Sequence, residues 1–187
     1  MIPPVVFMRK LTHAELIARQ QQQQARLSRL PLTVVLNNIR SLHNVGSIFR
    51  TCDGVGVEKL WLCGITGYPP SARLAKTALG AEGRVPWEYR ADACSVLEEL
   101  KAKDYRVVLL EQATESVSHD EFEPHGPVCL VVGNEIEGVA QSLVPLCDMA
   151  VEIEMAGLKN SLNVAVAFGI VAYHIRSCFK TRMILSC

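Results

Sequence analysis

The chain has 187 residues, 49% of them hydrophobic and 20% charged, with 19 Lys+Arg set against 19 Asp+Glu. That length suits one domain with a sizeable core, and the apolar content excludes an intrinsically disordered chain. A net charge of zero gives no overall argument for nucleic-acid binding, so any such claim has to come from local charge and from a site.

Residues 1–30 read as a basic N-terminal arm or helix ahead of a main domain over 31–187. The first eight residues are apolar but follow no basic region, so they do not read as a signal peptide. Arg9, Lys10, Arg19, Arg26 and Arg29 stand against Glu15 alone, around the run Gln20 to Gln24. Good helix formers surround that run. An arm that grips phosphates and a solvated helix packed on the domain are equally good readings.

From Pro31 onward, strand-like and helix-like segments alternate. Strands are predicted over 32–36, 59–63, 87–90, 105–110, 128–132 and 150–154. Helices are predicted over 43–52, closed near Gly54, and over 71–79, 93–103, 139–146 and 161–178. The short β-branched runs bounded by turn signals suit strands buried on both faces. The alternation predicts an α/β fold with a mostly parallel sheet flanked by helices. The last helix, from Val164 to Tyr173, is apolar nearly all round and needs cover on two sides. The sheet can supply one cover and a second subunit the other, although burial within one chain would also serve. Its ten-residue apolar stretch falls short of the roughly 20 residues of a spanning helix, so a soluble, cytoplasmic protein with no membrane partner is expected.

Seven scattered Cys form no CxxC, and the five His form no HExxH. Neither a disulfide framework nor a metal site is expected, and the Cys read as small core residues. Gly54-Val55-Gly56 follows a helix and precedes a strand, the reverse of a dinucleotide fingerprint, and reads as a helix cap and turn.

Three clusters remain at strand ends, where α/β folds hold their sites. The first runs from Asn37 to Thr51. In it Asn44 falls near a helix start, as an N-cap would, and Gly46 stands one turn before Arg50, leaving space over its guanidinium. An Arg among Ile48, Phe49 and Cys52 reads as functional more readily than as a structural ion pair. The second cluster, Val131 to Gly138, ends a buried strand on Gly133 and then presents Asn134 and Glu135. The third, Glu152 to Asn163, leads through a loop into the last helix, with Ser161 as a candidate N-cap. Together they supply amides, hydroxyls, one Arg and one carboxylate, an inventory suited to a cofactor that brings its own reactive group.

Asn44-x-Gly46-x-x-x-Arg50-Thr51, Val132-Gly133-Asn134-Glu135-x-x-Gly138 and Ile153-x-Met155 through Ser161-Leu162-Asn163-Val164-x-Val166-Ala167 closely resemble, in order, motifs 1, 2 and 3 of the SpoU (TrmH-like) RNA ribose 2′-O-methyltransferases. The resemblance spans residues 32–176. It implies the SPOUT fold with a C-terminal deep trefoil knot, a homodimer, and S-adenosylmethionine held by three loops. Those loops carry Gly133 and Asn134, Ile153 and Met155, and Ser161 with Leu162, with Glu111 as a further contact. It implies catalytic roles for Arg50, Asn44, Glu135, Ser161 and Asn163. An RNA partner, tRNA or rRNA, would draw on Arg9, Lys10, Arg26, Arg29, Arg40, Arg73, Lys76 and Arg84. Glu154 stands where one common form of motif 3 has Pro, and the basic arm is the one visible substitute for the separate RNA-binding domain of some relatives. Two other readings stay open, a non-catalytic RNA-binding or assembly module on the same scaffold and a small-molecule methyltransferase.

Overall fold

A computed structural model of the chain describes residues 8–24, 29–134 and 136–185; Arg26 and Glu135 lie outside the described residues. Thr12 and Glu15 form a capping box at the head of α1 (His13–Gln24), with the Thr12 N–H donating to Glu15 Oε2 at 2.8 Å. Arg9 pairs with Glu15 across 2.6 Å, and together with the Thr12 bonds it holds that carboxyl down at about 2.

The main domain begins with β1 (Leu30–Asn37), α2 (Leu42–Val55), β2 (Val57–Cys63) and α3 (Ala72–Ala78). It continues through β3 (Trp87–Arg90), α4 (Ala93–Lys101), β4 (Arg106–Leu110) and β5 (Val117–Ser118). Last come β6 (Val128–Val132), β7 (Met149–Glu152) and α5 (Val164–Leu185). Among the described residues the strands form one sheet in the order β3-β2-β1-β6-β4-β7-β5, and every pairing is parallel. This is the α/β fold that the alternating pattern predicts.

Alternation along β1 divides two cores. Leu32, Val34 and Leu36 join Ile48 and Phe49 of α2 and Phe168, Val171 and Ile175 of α5 on one face. Val35 joins Val96, Leu97 and Leu100 of α4 on the other. Each such side chain, fully buried, contributes about 1.5–3 kcal/mol. Cys52, Cys63 and Cys129 are buried free thiols, and burial pushes Cys63 up to about 12, as suits core residues rather than nucleophiles.

Four local expectations need correction. Ser41, not Asn44, caps α2: its Oγ accepts from the Asn44 N–H at 3.3 Å. The helix closes on Gly56, left-handed at φ 81°, two residues beyond the predicted Gly54. The helix predicted over 139–146 is a single 3-10 turn, Val144–Leu146. Pro145 withdraws a donor there, and the Ala140 N–H is claimed by Asn37 Oδ1 at 3.0 Å. Finally, α5 starts at Val164 and is capped by Asn163, whose Oδ1 accepts from the Ala165 N–H at 3.0 Å, so Ser161 stays in the loop. The two-residue β5 carries too short a run to show in the sequence pattern.

Candidate active site

Leu110 pairs with Val132 on one side and Val151 on the other, so the chain leaves β4, β6 and β7 side by side. The three loops close around a cavity of about 360 Å³. Glu111, Gly133, Asn134, Ile153, Met155, Ser161 and Leu162, the seven residues singled out for a cofactor, all line it. Leu110, Val132, Val164 and Ala167 add apolar wall, while Gln112 and Asn160 add polar groups that the sequence did not flag.

Hydrogen bonds fasten these loops to one another. Asn134 and Gly138 exchange backbone bonds, both 2.9 Å, to make a closed turn. Inside it the buried Asn134 accepts at Oδ1 from the N–H groups of Ile136 (2.8 Å) and Glu137 (3.2 Å). Its Nδ2 donates to the Asn38 carbonyl at 3.0 Å. Asn38 itself sits left-handed at φ 60°, a conformation Asn tolerates, and accepts at Oδ1 from the Ile65 N–H at 3.1 Å. A Cβ on Gly133 would run into the backbone of Gly138 and Val139, so only glycine lets the turn fold back on the strand end. The Glu111 carboxylate spans two loops, accepting from the Val139 N–H at 3.3 Å and the Gln112 N–H at 3.1 Å. Gln112 Nε2 then donates to the Asn160 carbonyl at 2.8 Å, tying the β4 loop to the segment before α5.

Residues 31–173 match the SpoU rRNA Methylase family. The chain belongs to that family. It is 36% identical over 146 residues to the tRNA (guanosine(18)-2'-O)-methyltransferase of Aquifex aeolicus (strain VF5), an alignment covering 76% of this chain and 67% of that one. Its structure resembles that of the A. aeolicus TrmH/SpoU tRNA modifying enzyme with a TM-score of 0.78 at 30% identity, over 91% of this chain and 88% of that one. It also resembles the AdoMet-bound rRNA methyltransferase from Sinorhizobium meliloti, with a TM-score of 0.75 at 28% identity, over 80% of this chain and 57% of that one. The α/β fold is thus that of the SPOUT methyltransferases. Curated relatives of this kind are longer, and the chain spans 58–67% of their length.

The remaining SpoU motif residues fall around the cavity in different ways. Asn163 Nδ2 donates to Asn44 Oδ1 at 3.1 Å, joining motif 3 to motif 1. Arg50 lies elsewhere: it is exposed on α2, in a separate recess of about 500 Å³ shared with Lys76, Thr77 and Tyr173. Its neighbours Ile48, Phe49 and Cys52 are buried, but they face the core side of the helix. Gly46 does not make room over the guanidinium as expected. A Cβ there would strike Thr77 Oγ1 and the Leu74 carbonyl, so this glycine serves the close approach of α2 and α3.

The basic candidates are scattered. Arg40 reaches Glu137 Oε1 at 3.0 Å, linking the motif 1 loop to the motif 2 turn. Arg29 donates to the Glu58 carbonyl at 3.1 Å. Lys10, Arg73, Lys76 and Arg84 are exposed. Glu154 is exposed and lines a shallow recess beside the cavity, together with Met155 and Lys159. Among the described residues no helix is long and apolar enough to cross a membrane, and no group of three or more His, Cys, Asp or Glu can hold a metal ion.

Proposed function

We propose that this chain is an S-adenosylmethionine-dependent methyltransferase acting on a ribose 2′-hydroxyl of tRNA or rRNA, and that it works as a homodimer. One observation carries the reading: the seven residues drawn from three separate motifs and the β4 loop line one cavity. The cavity also fits the donor by chemistry. Its apolar wall of Leu110, Val132, Val164 and Ala167 suits a nucleoside base, and Glu111, Gln112, Asn134 and Ser161 offer partners for ribose and amino-acid groups. When bound, S-adenosylmethionine would supply a methyl group activated by its sulfonium, with the thioether as leaving group.

The chain's own residues divide the remaining work. The fastened loops of Gly133–Gly138, Glu111 and Asn160–Leu162 hold the donor end rigid, which is where positioning catalysis gains most. Arg50, whose recess lies apart from the donor cavity of its own chain and includes the exposed Tyr173 of α5, acts across the subunit contact as a charged donor that stabilises developing alkoxide on the ribose oxygen, while an RNA phosphate or water takes the proton, because a neutral guanidinium is costly. Asn44 and Asn163 orient the helix heads between the cavity and the Arg50 recess, and Glu135 completes motif 2. Residues 1–30 serve as a basic arm for RNA, and the chain through motifs 2 and 3 forms the family's trefoil knot.

A stripe on α5 supports the dimer. Val166, Ile170 and Tyr173, spaced to share one helix face, are 51%, 37% and 53% exposed although the opposite face is fully buried. Titration calorimetry with S-adenosylmethionine tests the cofactor reading. One molecule bound per chain is expected, and no heat at millimolar donor would contradict it. A non-catalytic RNA module predicts that second result together with retained RNA.

A further inference from the structure

We infer that Tyr68, backed by Tyr89 and Trp87, is a stacking platform for a base of the RNA substrate that flanks the target nucleotide. The inference rests on the RNA reading above and adds a recognition surface outside the three motifs. Tyr68 is 47% exposed and Tyr89 is 36% exposed, and their ring centroids lie 4.6 Å apart. Behind them Trp87 stacks on Tyr68 at 6.3 Å and meets the core through an edge contact with Phe49 at 6.4 Å. Two exposed rings are thus held in place by the core, so a base stacking on them would cost little ordering entropy.

The loop that carries Tyr68 is equally well fixed. Thr66 is buried, accepting from the Ile39 N–H at 3.0 Å and donating to the Leu36 carbonyl at 3.1 Å. Tyr89 donates its hydroxyl to the Gly64 carbonyl at 3.1 Å, and Ile65 donates to Asn38. The loop is therefore bolted to the motif 1 segment, whose Asn38 also holds the motif 2 turn through Asn134.

Position and charge select the occupant. Arg90 pairs in register with Cys63, Cys63 with Asn37, and Leu36 with Val132, so platform and cavity share one end of the sheet. Three strand spacings, about 14 Å, separate β3 from β6. Past Tyr68 the chain enters α3, where exposed Arg73 and Lys76 lead to the recess that holds Arg50. At the opposite edge of the sheet, around β5, the exposed Glu115, Asp120 and Glu121 disfavour phosphates, while Glu123 is paired with Arg182. Aromatic rings next to basic side chains are what a single-stranded nucleic acid binds, bases on the rings and phosphates on the cations.

Fluorescence anisotropy with a labelled twelve-residue oligoadenylate, and with an abasic oligomer of the same length, tests the platform. Tyr68→Ala should weaken binding of the oligoadenylate about tenfold, while Tyr68→Phe and Tyr68→Trp stay within about twofold of the wild type. The abasic oligomer should bind all four proteins alike, and the salt dependence should not change, because phosphate contacts remain. Equal affinity of Tyr68→Ala and wild type, equal loss in Tyr68→Phe and Tyr68→Ala, or equal loss for the abasic oligomer would each overturn the platform. A wild type that binds S-adenosylmethionine but neither oligomer overturns the RNA reading and the platform with it. A wild type that binds RNA and is indifferent to Tyr68→Ala overturns the platform alone.

Discussion

Asn163, at the head of α5, donates to Asn44, in the first turn of α2, across 3.1 Å and 119 residues of sequence. The bond clamps two helix starts: the loop before α5 lines the proposed donor cavity, and α2 carries Arg50 in its own recess. A double-mutant cycle reads its worth. Asn44→Ala and Asn163→Ala should each lower kcat/KM, and the double variant should lose less than the product of the two, with a coupling of about 0.5–3 kcal/mol. Asn163→Ala should in addition lower stability by about 1 kcal/mol through the lost cap, measurable by urea denaturation.

Two glycines of the motif 2 turn differ in what a methyl group would meet. On Gly133 it meets backbone of Gly138 and Val139, whereas on Gly138 it meets the movable end of the Glu111 side chain. Gly138 is left-handed at φ 70°, so alanine there carries a conformational cost of about 1–2 kcal/mol. Gly133→Ala should therefore lose donor affinity and thermal stability more severely than Gly138→Ala, as calorimetry and a melting curve would show.

Gly46 sets the distance between α2 and α3, where Thr77 Oγ1 also donates to the His43 carbonyl at 2.9 Å. Gly46→Ala should destabilise the chain by about 1–3 kcal/mol, as overpacking does. Because α3 also lines the Arg50 recess, that variant should lose methyl transfer while keeping donor affinity. Parallel calorimetry and transfer assays would separate the two.

Asp148 links α4 to the sheet, pairing with Lys101 at 2.5 Å and accepting from the Val107 N–H at 2.7 Å. Burial pushes its carboxyl up, but the Lys101 and Val107 bonds outweigh burial and hold it below the usual range. A carboxyl lowered by folding stabilises fully above its unfolded value, about 3.9, and loses that contribution as pH falls through the folded value. The stability gap between wild type and Asp148→Asn should thus be largest near neutral pH and should narrow below about pH 4. Urea midpoints at a series of pH values would check the sign.

Arg50→Lys keeps the charge but loses the planar fork. It should lower kcat by about 100-fold, as loss of one oriented donor does, with donor affinity unchanged. Near-normal turnover in that variant would refute the role given to Arg50.

Much of this was legible in the residues. The strands at Trp87–Arg90 and Val128–Val132 coincide with their predicted ranges because short β-branched or aromatic runs sit between turn signals. The cavity lining was legible through motif resemblance, not through periodicity. What failed was tertiary. Asn44 reads singly as a local cap and Asn163 as a polar residue of a helix's first turn, and nothing local announces a contact between them. Its place on the Arg50 face of the helix assigns Gly46 to Arg50, yet α3, brought in by the chain fold, occupies that space. The helix predicted over 139–146 gave way because Pro145 and a distant Asn37 both act on its backbone. Gln112 carries no sequence signal at all, and only its reach to Asn160 marks it as a loop tie.

The most direct measurement incubates the purified chain with isotope-labelled S-adenosylmethionine and RNA from cells lacking the gene, then digests the RNA to nucleosides for mass spectrometry. The label is expected in a 2′-O-methylated nucleoside at one discrete position, and to accumulate there about 100-fold more slowly with Arg50→Lys. Label on a base, or RNA left unlabelled by a chain that binds the donor, would contradict the assignment of ribose methylation.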